Sequence, residues 1–360
     1  MSEGAGSGAS RSALLGIALA SSLLLVVVAL PRFGALSEPP IPGNHDYTTA
    51  DGRELTGLTI DMREYLHLTE YFGGTADAPD LAPFTSRIAA PWLAGQLPWE
   101  APVSLNVVML GCLIVGLISM IAAQDRLGCG VGPIALSSLA YSVSFPVFYW
   151  GSFNYVDGAV VGLLGVFVLT LVRRDVWLAV STLGVGLLFK ESALVALPAL
   201  VVWIWLAGYS VRQRWVLLAG TAGATLAGLV GARMLGPPAS RFYNPWFPSP
   251  SDVMGYLGWN LSRVGPLGQV VLTGVLPLAL ALYAWRLSRT GRLGLDPQTF
   301  WALTAGVVTG ILLNLHALFA AQIDGRTLWT VYPFALTLGA VALSVRSQRR
   351  DPATAVALTD

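Results

Sequence analysis

The sequence predicts an all-α, polytopic membrane protein of about ten transmembrane helices, with a short amphipathic helix in its first outside loop. Three observations predict it. Hydrophobic residues make up 54% of the 360 positions and charged residues only 11%, under half of the roughly 25% charged usage of soluble domains. Apolar runs long enough to consider as helices recur at 13–30, 103–123, 132–150, 156–172, 176–189, 192–206, 215–235, 266–285, 299–320 and 328–345. The loops between them sort by charge. With the N-terminus in the cytoplasm, the inside segments hold Arg11, Arg126, Arg173, Arg174, Arg212, Arg214, Arg286, Arg289, Arg292, Arg346, Arg349 and Arg350, as the positive-inside bias requires.

The elements follow in order. Residues 1–12 form a cytoplasmic N-terminus, 13–345 a single transmembrane domain with outside loops 31–102 and 236–265, and 346–360 a cytoplasmic, disordered tail. The run Ala13–Leu30 exceeds a signal-peptide core and no small-x-small site precedes Pro31, so it reads as a retained first span. Runs 176–189 and 192–206 are short. At 1.5 Å per residue they reach only about 21–23 Å against a hydrocarbon core near 30 Å. Their junction, Lys190-Glu191, is therefore expected below the outer surface, in a recessed polar cavity, because a charge at membrane depth needs water, protein or an ionic ligand. The competing arrangement is a tilted helix pair with Lys190 snorkelling and pairing with Glu191.

A net charge of +1 gives no concentrated cationic surface, which excludes nucleic acid as a partner. Cys112 and Cys129 are too few for a disulfide framework or a four-ligand zinc site. Most of the 20 acidic residues fall in the outside segments. These also carry interfacial aromatics, as in Pro245-Trp246-Phe247-Pro248. The outer side is the working side.

After the Pro/Gly-rich stretch 37–43, apolar residues at 62, 65, 66, 68 and 72 give an amphipathic surface helix, capped by Thr59 or Asp61 and ended by Gly73-Gly74. Asp61 is the leading candidate base, since a carboxylate at an apolar boundary can orient a hydroxyl and take its proton. Asp46 competes with it, and a plain N-cap accounts for Asp61 equally. Arg87, Lys190 and Arg326 are the outward cations nearest span ends, suited to a phosphate leaving a sugar carbon. Snorkelling alone would explain each singly. Asp157 stands at a helix terminus as a cap or a hydroxyl acceptor. His316 is expected to be buried and hydrogen-bonded, and Asn260-Leu261-Ser262 is discounted as a chance sequon.

Taken in order, Asp61 and Tyr65, Pro83-Phe84-x-x-Arg87-x-x-x-Pro91, Tyr155-x-Asp157, Phe189-Lys190-Glu191-Ser192 with Pro198, and Asp324-x-Arg326 with Pro333 resemble the multi-span GT-C glycosyltransferases of bacteria, over about residues 55–335. The resemblance implies a GT-C-like fold and transfer of a sugar, with inversion, from a polyprenyl-phosphate-linked donor to a glycan, lipid or protein acceptor on the outer face of the plasma membrane. It assigns the base to Asp61 and the donor phosphate to Lys190, Arg87 and Arg326. Glu64, Tyr65, Asp157, Glu191, Asp324 and His316 would support the substrate. The acidic pair frequent in that family's first loop is replaced here by Asp61-Met62-Arg63-Glu64. No residue is assigned as a metal ligand, although a divalent metal stays open. Two other classes fit the pattern: a transporter or lipid flippase built on discontinuous helices, and a noncatalytic partner in envelope assembly.

Overall fold

A computed structural model describes residues 10–33, 45–50, 52, 54–152, 154–243, 249–321 and 323–348. The stretch 37–43, Pro245-Trp246-Phe247-Pro248, Arg349, Arg350 and the end of the tail lie outside the described residues. Helix α1 (Arg11–Phe33) is followed by a hairpin of β1 (His45–Thr48) and β2 (Glu54–Leu58), then by α2 (Ile60–Phe72), the expected surface helix, which is instead packed in with seven buried residues and none exposed, then by strand β3 (Leu81–Ala82) and α3 (Ala89–Gly95). The chain continues through α4 (Ala101–Arg126), α5 (Val131–Ser142), α6 (Phe145–Trp150), α7 (Asp157–Val172) and α8 (Val176–Phe189). A 3-10 turn, Glu191–Val195, leads into α9 (Ala196–Leu206) and α10 (Val211–Leu235). Strand β4 (Arg241–Phe242), α11 (Pro250–Leu261), α12 (Val264–Arg289), α13 (Pro297–Ala320), α14 (Arg326–Trp329) and α15 (Tyr332–Gln348) complete it.

Among the described residues, six helical segments are long and apolar enough to cross a membrane: Arg11–Phe33, Ala101–Arg126, Val131–Trp150, Val211–Leu235, Val264–Arg289 and Pro297–Ala320. Shorter apolar helices cover Asp157–Val172, Val176–Phe189, Glu191–Leu206 and Tyr332–Arg346. The architecture is all-α, and its apolar helices fit a multi-pass membrane protein. Helices α10 and α12 expose rows of large apolar side chains, including Leu226, Val230 and Leu235 on one and Val271, Leu272 and Val275 on the other, faces that suit lipid.

Three apolar runs are not continuous helices. Ser144 caps α6, its hydroxyl accepting from the Val147 amide at 3.4 Å, and Pro146 has no N–H to continue α5. Pro333 likewise separates α14 from α15. The third break is the 3-10 turn after Lys190. Two features were not expected: the β1–β2 hairpin, and helix α11 inside what reads as an outside loop. Helix α11 starts at a capping box in which Ser249 and Asp252 bond each other's backbone.

Helices α4 and α7 set the position of everything near Asp157. A Cβ on Gly162 would lie 2.1 Å from the Cys112 carbonyl oxygen, and one on Gly165 would lie 2.5 Å from that of Gly116. Glycine lets the two backbones touch, which is how helices pack closely in lipid. The segments before α3 and after α10 are also joined: β3 and β4 pair in parallel, and Asp80 accepts from the Ser240 hydroxyl at 2.7 Å.

Candidate functional site

Thr59 is the N-cap of α2, its hydroxyl accepting from the Met62 amide at 3.4 Å. That settles the cap and leaves Asp61 in the first turn, where a helix N-terminus favours a carboxylate. Buried Met62, Leu66 and Leu68 fix the helix. Asp61 and Tyr65, four residues apart, then share one face.

Arg326 comes to Asp61 from the other end of the chain. Gly325 makes the turn with φ +85°, and a Cβ there would crowd Thr273 Oγ1 at 3.0 Å and the Gln269 carbonyl at 3.1 Å. Beyond it, Arg326 Nη1 donates to Asp61 Oδ2 at 2.8 Å and Nε donates to Asp324 Oδ2 at 2.6 Å. The guanidinium lies 4.5 Å from the centre of the Tyr155 ring, whose hydroxyl is 3.1 Å from Thr59 Oγ1. Arg87 donates through Nη1 to the Tyr65 hydroxyl at 2.6 Å and through Nε to Glu191 Oε2 at 2.9 Å, and its Nη2 also bonds Glu191. Lys190 Nζ donates to Asp157 Oδ1 at 2.7 Å.

Lys190 and Glu191 therefore do not pair with each other. Lys190 has extended backbone, φ −169° and ψ 146°, and successive side chains on extended backbone diverge. Each finds a separate partner. The cluster thus joins Asp61, Tyr65, Arg87, Asp157, Lys190, Glu191, Asp324 and Arg326, from five separate stretches of chain. Its side chains are graded in exposure: 20% for Glu191, 19% for Arg326 and 16% for Asp61, falling to 10% for Lys190 and 4% for Asp157. Asp61 and Arg326 form the accessible side, and Lys190 with Asp157 the floor. Asp157 Oδ2 and the Ser192 hydroxyl are buried without a hydrogen-bond partner, which is the condition a bound water or a ligand hydroxyl relieves.

Burial works to raise the Asp61 carboxyl, but the charges of Arg326, Lys190 and Arg87 outweigh it and hold the group below the ordinary carboxylate range. Asp324 goes the other way. Its burial exceeds the help it receives from Arg326 and raises it. The two carboxylates on one guanidinium are thereby pushed apart in proton affinity.

Two expected supporting residues stand elsewhere. Glu64 is buried against its neighbour Arg63, whose Nη2 lies 2.6 Å away, rather than in the cluster. His316 is exposed on α13 instead of buried. The helix reaches the Arg326 loop through Asn314, two residues earlier, which accepts from the Thr327 hydroxyl at 2.8 Å. Asp46 is exposed on the hairpin, with no bond to the cluster cations. Among the described residues, no three His, Cys, Asp or Glu side chains are arranged to hold a metal ion.

Asn260, discounted in the sequence, is fully buried. Its amide donates to the Leu318 and Ala321 carbonyls at 2.9 and 2.8 Å and its Oδ1 accepts from the Ile323 amide at 3.0 Å. It clamps the segment that delivers Asp324 and Arg326. The sequon frame concealed it, and nothing local distinguishes such an asparagine. No family model matches the chain, and a search of curated proteins finds no significant match.

Proposed function

We propose that this chain is a GT-C-like membrane glycosyltransferase that moves a sugar from a polyprenyl-phosphate donor to an acceptor hydroxyl on the outer face of a bacterial plasma membrane. The observation that carries this reading is Asp61, a partly exposed carboxylate in the first turn of α2, held 2.8 Å from Arg326 in one cluster with Arg87 and Lys190. In the reaction the acceptor oxygen attacks the anomeric carbon from the face opposite the phosphate. The carbon–phosphate-oxygen bond breaks, the acceptor proton passes to Asp61, and the polyprenyl phosphate leaves with its charge countered by the cations.

The cations retain capacity for that role. Arg326 commits Nε and Nη1, and Lys190 has one protein acceptor among the described residues for an ammonium that carries three protons. Arg87, locked on Tyr65 and Glu191, serves to hold the base-bearing helix against the Lys190 junction.

The reading takes the six long and four shorter apolar segments as ten crossings, with both termini cytoplasmic. Stacked arginine–aromatic pairs near the segment ends support it: Arg263 on Trp259 and Arg32 on Tyr149 at the proposed outer end, Arg289 on Trp285 and Arg214 on Trp205 at the inner. Such pairs suit a headgroup boundary. Protein reconstituted in liposomes with a polyprenyl-phosphate sugar and an acceptor should yield a covalent glycosylated product. Movement of the lipid or solute across the bilayer without product would reassign the chain to transport.

A further inference from the structure

The chain from the end of α10 crosses directly over the segment that carries Arg87. Gly236 lies so close to it that a Cβ would meet the Thr85 carbonyl oxygen at 1.9 Å. Asp80 then holds Ser240, and the Tyr243 amide donates to the Ala82 carbonyl at 2.8 Å. These contacts fix the Tyr243 backbone. Its ring sits 5.8 Å from Phe84, which in turn meets Tyr65 edge-on at 5.6 Å and lies 5.3 Å from the Arg87 guanidinium.

Phe84 and Tyr65 are buried, whereas Tyr243 is 46% exposed. The hydroxyl responds to its surroundings: burial raises it, Asp61 and Tyr256 raise it further, and Arg326 opposes them. Through Phe84, Tyr243 is joined to Tyr65, on the α2 face that also carries Asp61, and to Arg87. A tyrosine held by backbone pairing and by packing on Phe84, yet half-exposed next to the segment that carries Arg87, is a fixed platform at the border of the polar cluster. Its electron-rich face suits the weakly positive C–H bonds on one face of a sugar ring. The neighbouring charges suit that ring's hydroxyls.

We propose that Tyr243, backed by Phe84, is a sugar-ring platform that seats a pyranose beside Asp61. The proposal deepens the glycosyltransferase reading by assigning a ring-stacking subsite to Tyr243, directly after β4, and it rests on that reading. Tyr243 positions the ring and takes no part in proton transfer. Its own aromatic face is the feature required, so its hydroxyl is dispensable.

The test is saturation-transfer-difference NMR of methyl pyranosides (gluco, galacto and manno) with the full chain in lipid nanodiscs, run beside a transfer assay. At least one pyranoside should show saturation of the C–H protons of one ring face. Tyr243→Phe and Tyr243→Trp should retain that signal. Tyr243→Ala should abolish it, with the KM of the sugar-bearing substrate raised about tenfold and kcat changed less than twofold, the pattern of a lost stacking contact of about 1.4 kcal/mol. No ring saturation by any pyranoside, an unchanged signal in Tyr243→Ala, or equal loss in Tyr243→Phe and Tyr243→Ala would each overturn the platform. Ring saturation that depends on Tyr243 without any transfer product would keep the platform and overturn the transferase reading. The two failures are thus separable.

Discussion

Arg326 bonds Asp61 and Asp324 together, and its charge is the largest of the influences that lower Asp61 against burial. A carboxylate whose folded proton affinity is depressed keeps its ionised form, and the stability it contributes, until the pH falls through that lowered value. For a base at Asp61, the acid limb of the pH–rate profile should therefore fall below the ordinary carboxylate range. In Arg326→Gln the burial is opposed only by Lys190 and Arg87, and the acid limb of the residual activity should move to higher pH. An unmoved limb would show that Asp61 does not titrate in the profile. The floor of the cluster behaves differently, because Lys190 and Asp157 are both buried. Removing one partner strands the other charge, so Asp157→Ala should lower stability by about 3–5 kcal/mol, while the paired change Lys190→Met with Asp157→Leu should recover most of it. Denaturation in detergent of the two variants against the wild type measures the difference.

The elements hold these residues in register through close backbone contacts. Gly162 of α7 touches the Cys112 carbonyl of α4, and α7 begins at Asp157. Gly162→Ala should push the helices apart, cost about 1–3 kcal/mol as overpacking does, and loosen the Lys190–Asp157 contact. Gly223→Ala on α10, where a Cβ meets nothing within 4 Å, serves as the control and should be neutral. Comparable losses in both would mean that the α4–α7 seam is not what the substitution disturbs. What the sequence conveyed at this scale was the apolar runs, whose length and composition alone define them. The helix breaks at Pro146 and Pro333 do not show in a hydropathy run, which does not register a missing N–H. Helix α11 was hidden by its position in a loop, although Ser249-Pro250-Ser251-Asp252 is a legible helix start.

At the scale of the whole molecule, three cations chosen only as outward and near span ends converge on one cluster with Asp61, Asp157 and Glu191. The charge pattern made a common side the expectation for them, and few charged groups compete for burial in so apolar a chain. Their pairing was not legible. Which carboxylate Lys190 meets depends on the extended backbone at one residue, and Glu64 and His316 fell outside because helical phase, rather than sequence neighbourhood, decides which face a side chain shares. Asn260 depends on a backbone 58 to 63 residues away, beyond the reach of any local pattern. The central claim is that this cluster performs sugar transfer with Asp61 as its base. Transfer from a polyprenyl-phosphate sugar by reconstituted wild-type and Asp61→Asn protein, matched for folding by thermal unfolding, tests it most directly. The account predicts product from the wild type and at least a hundredfold loss in the variant, since general-base catalysis contributes about 10²–10⁴ in rate; equal product from both would contradict it.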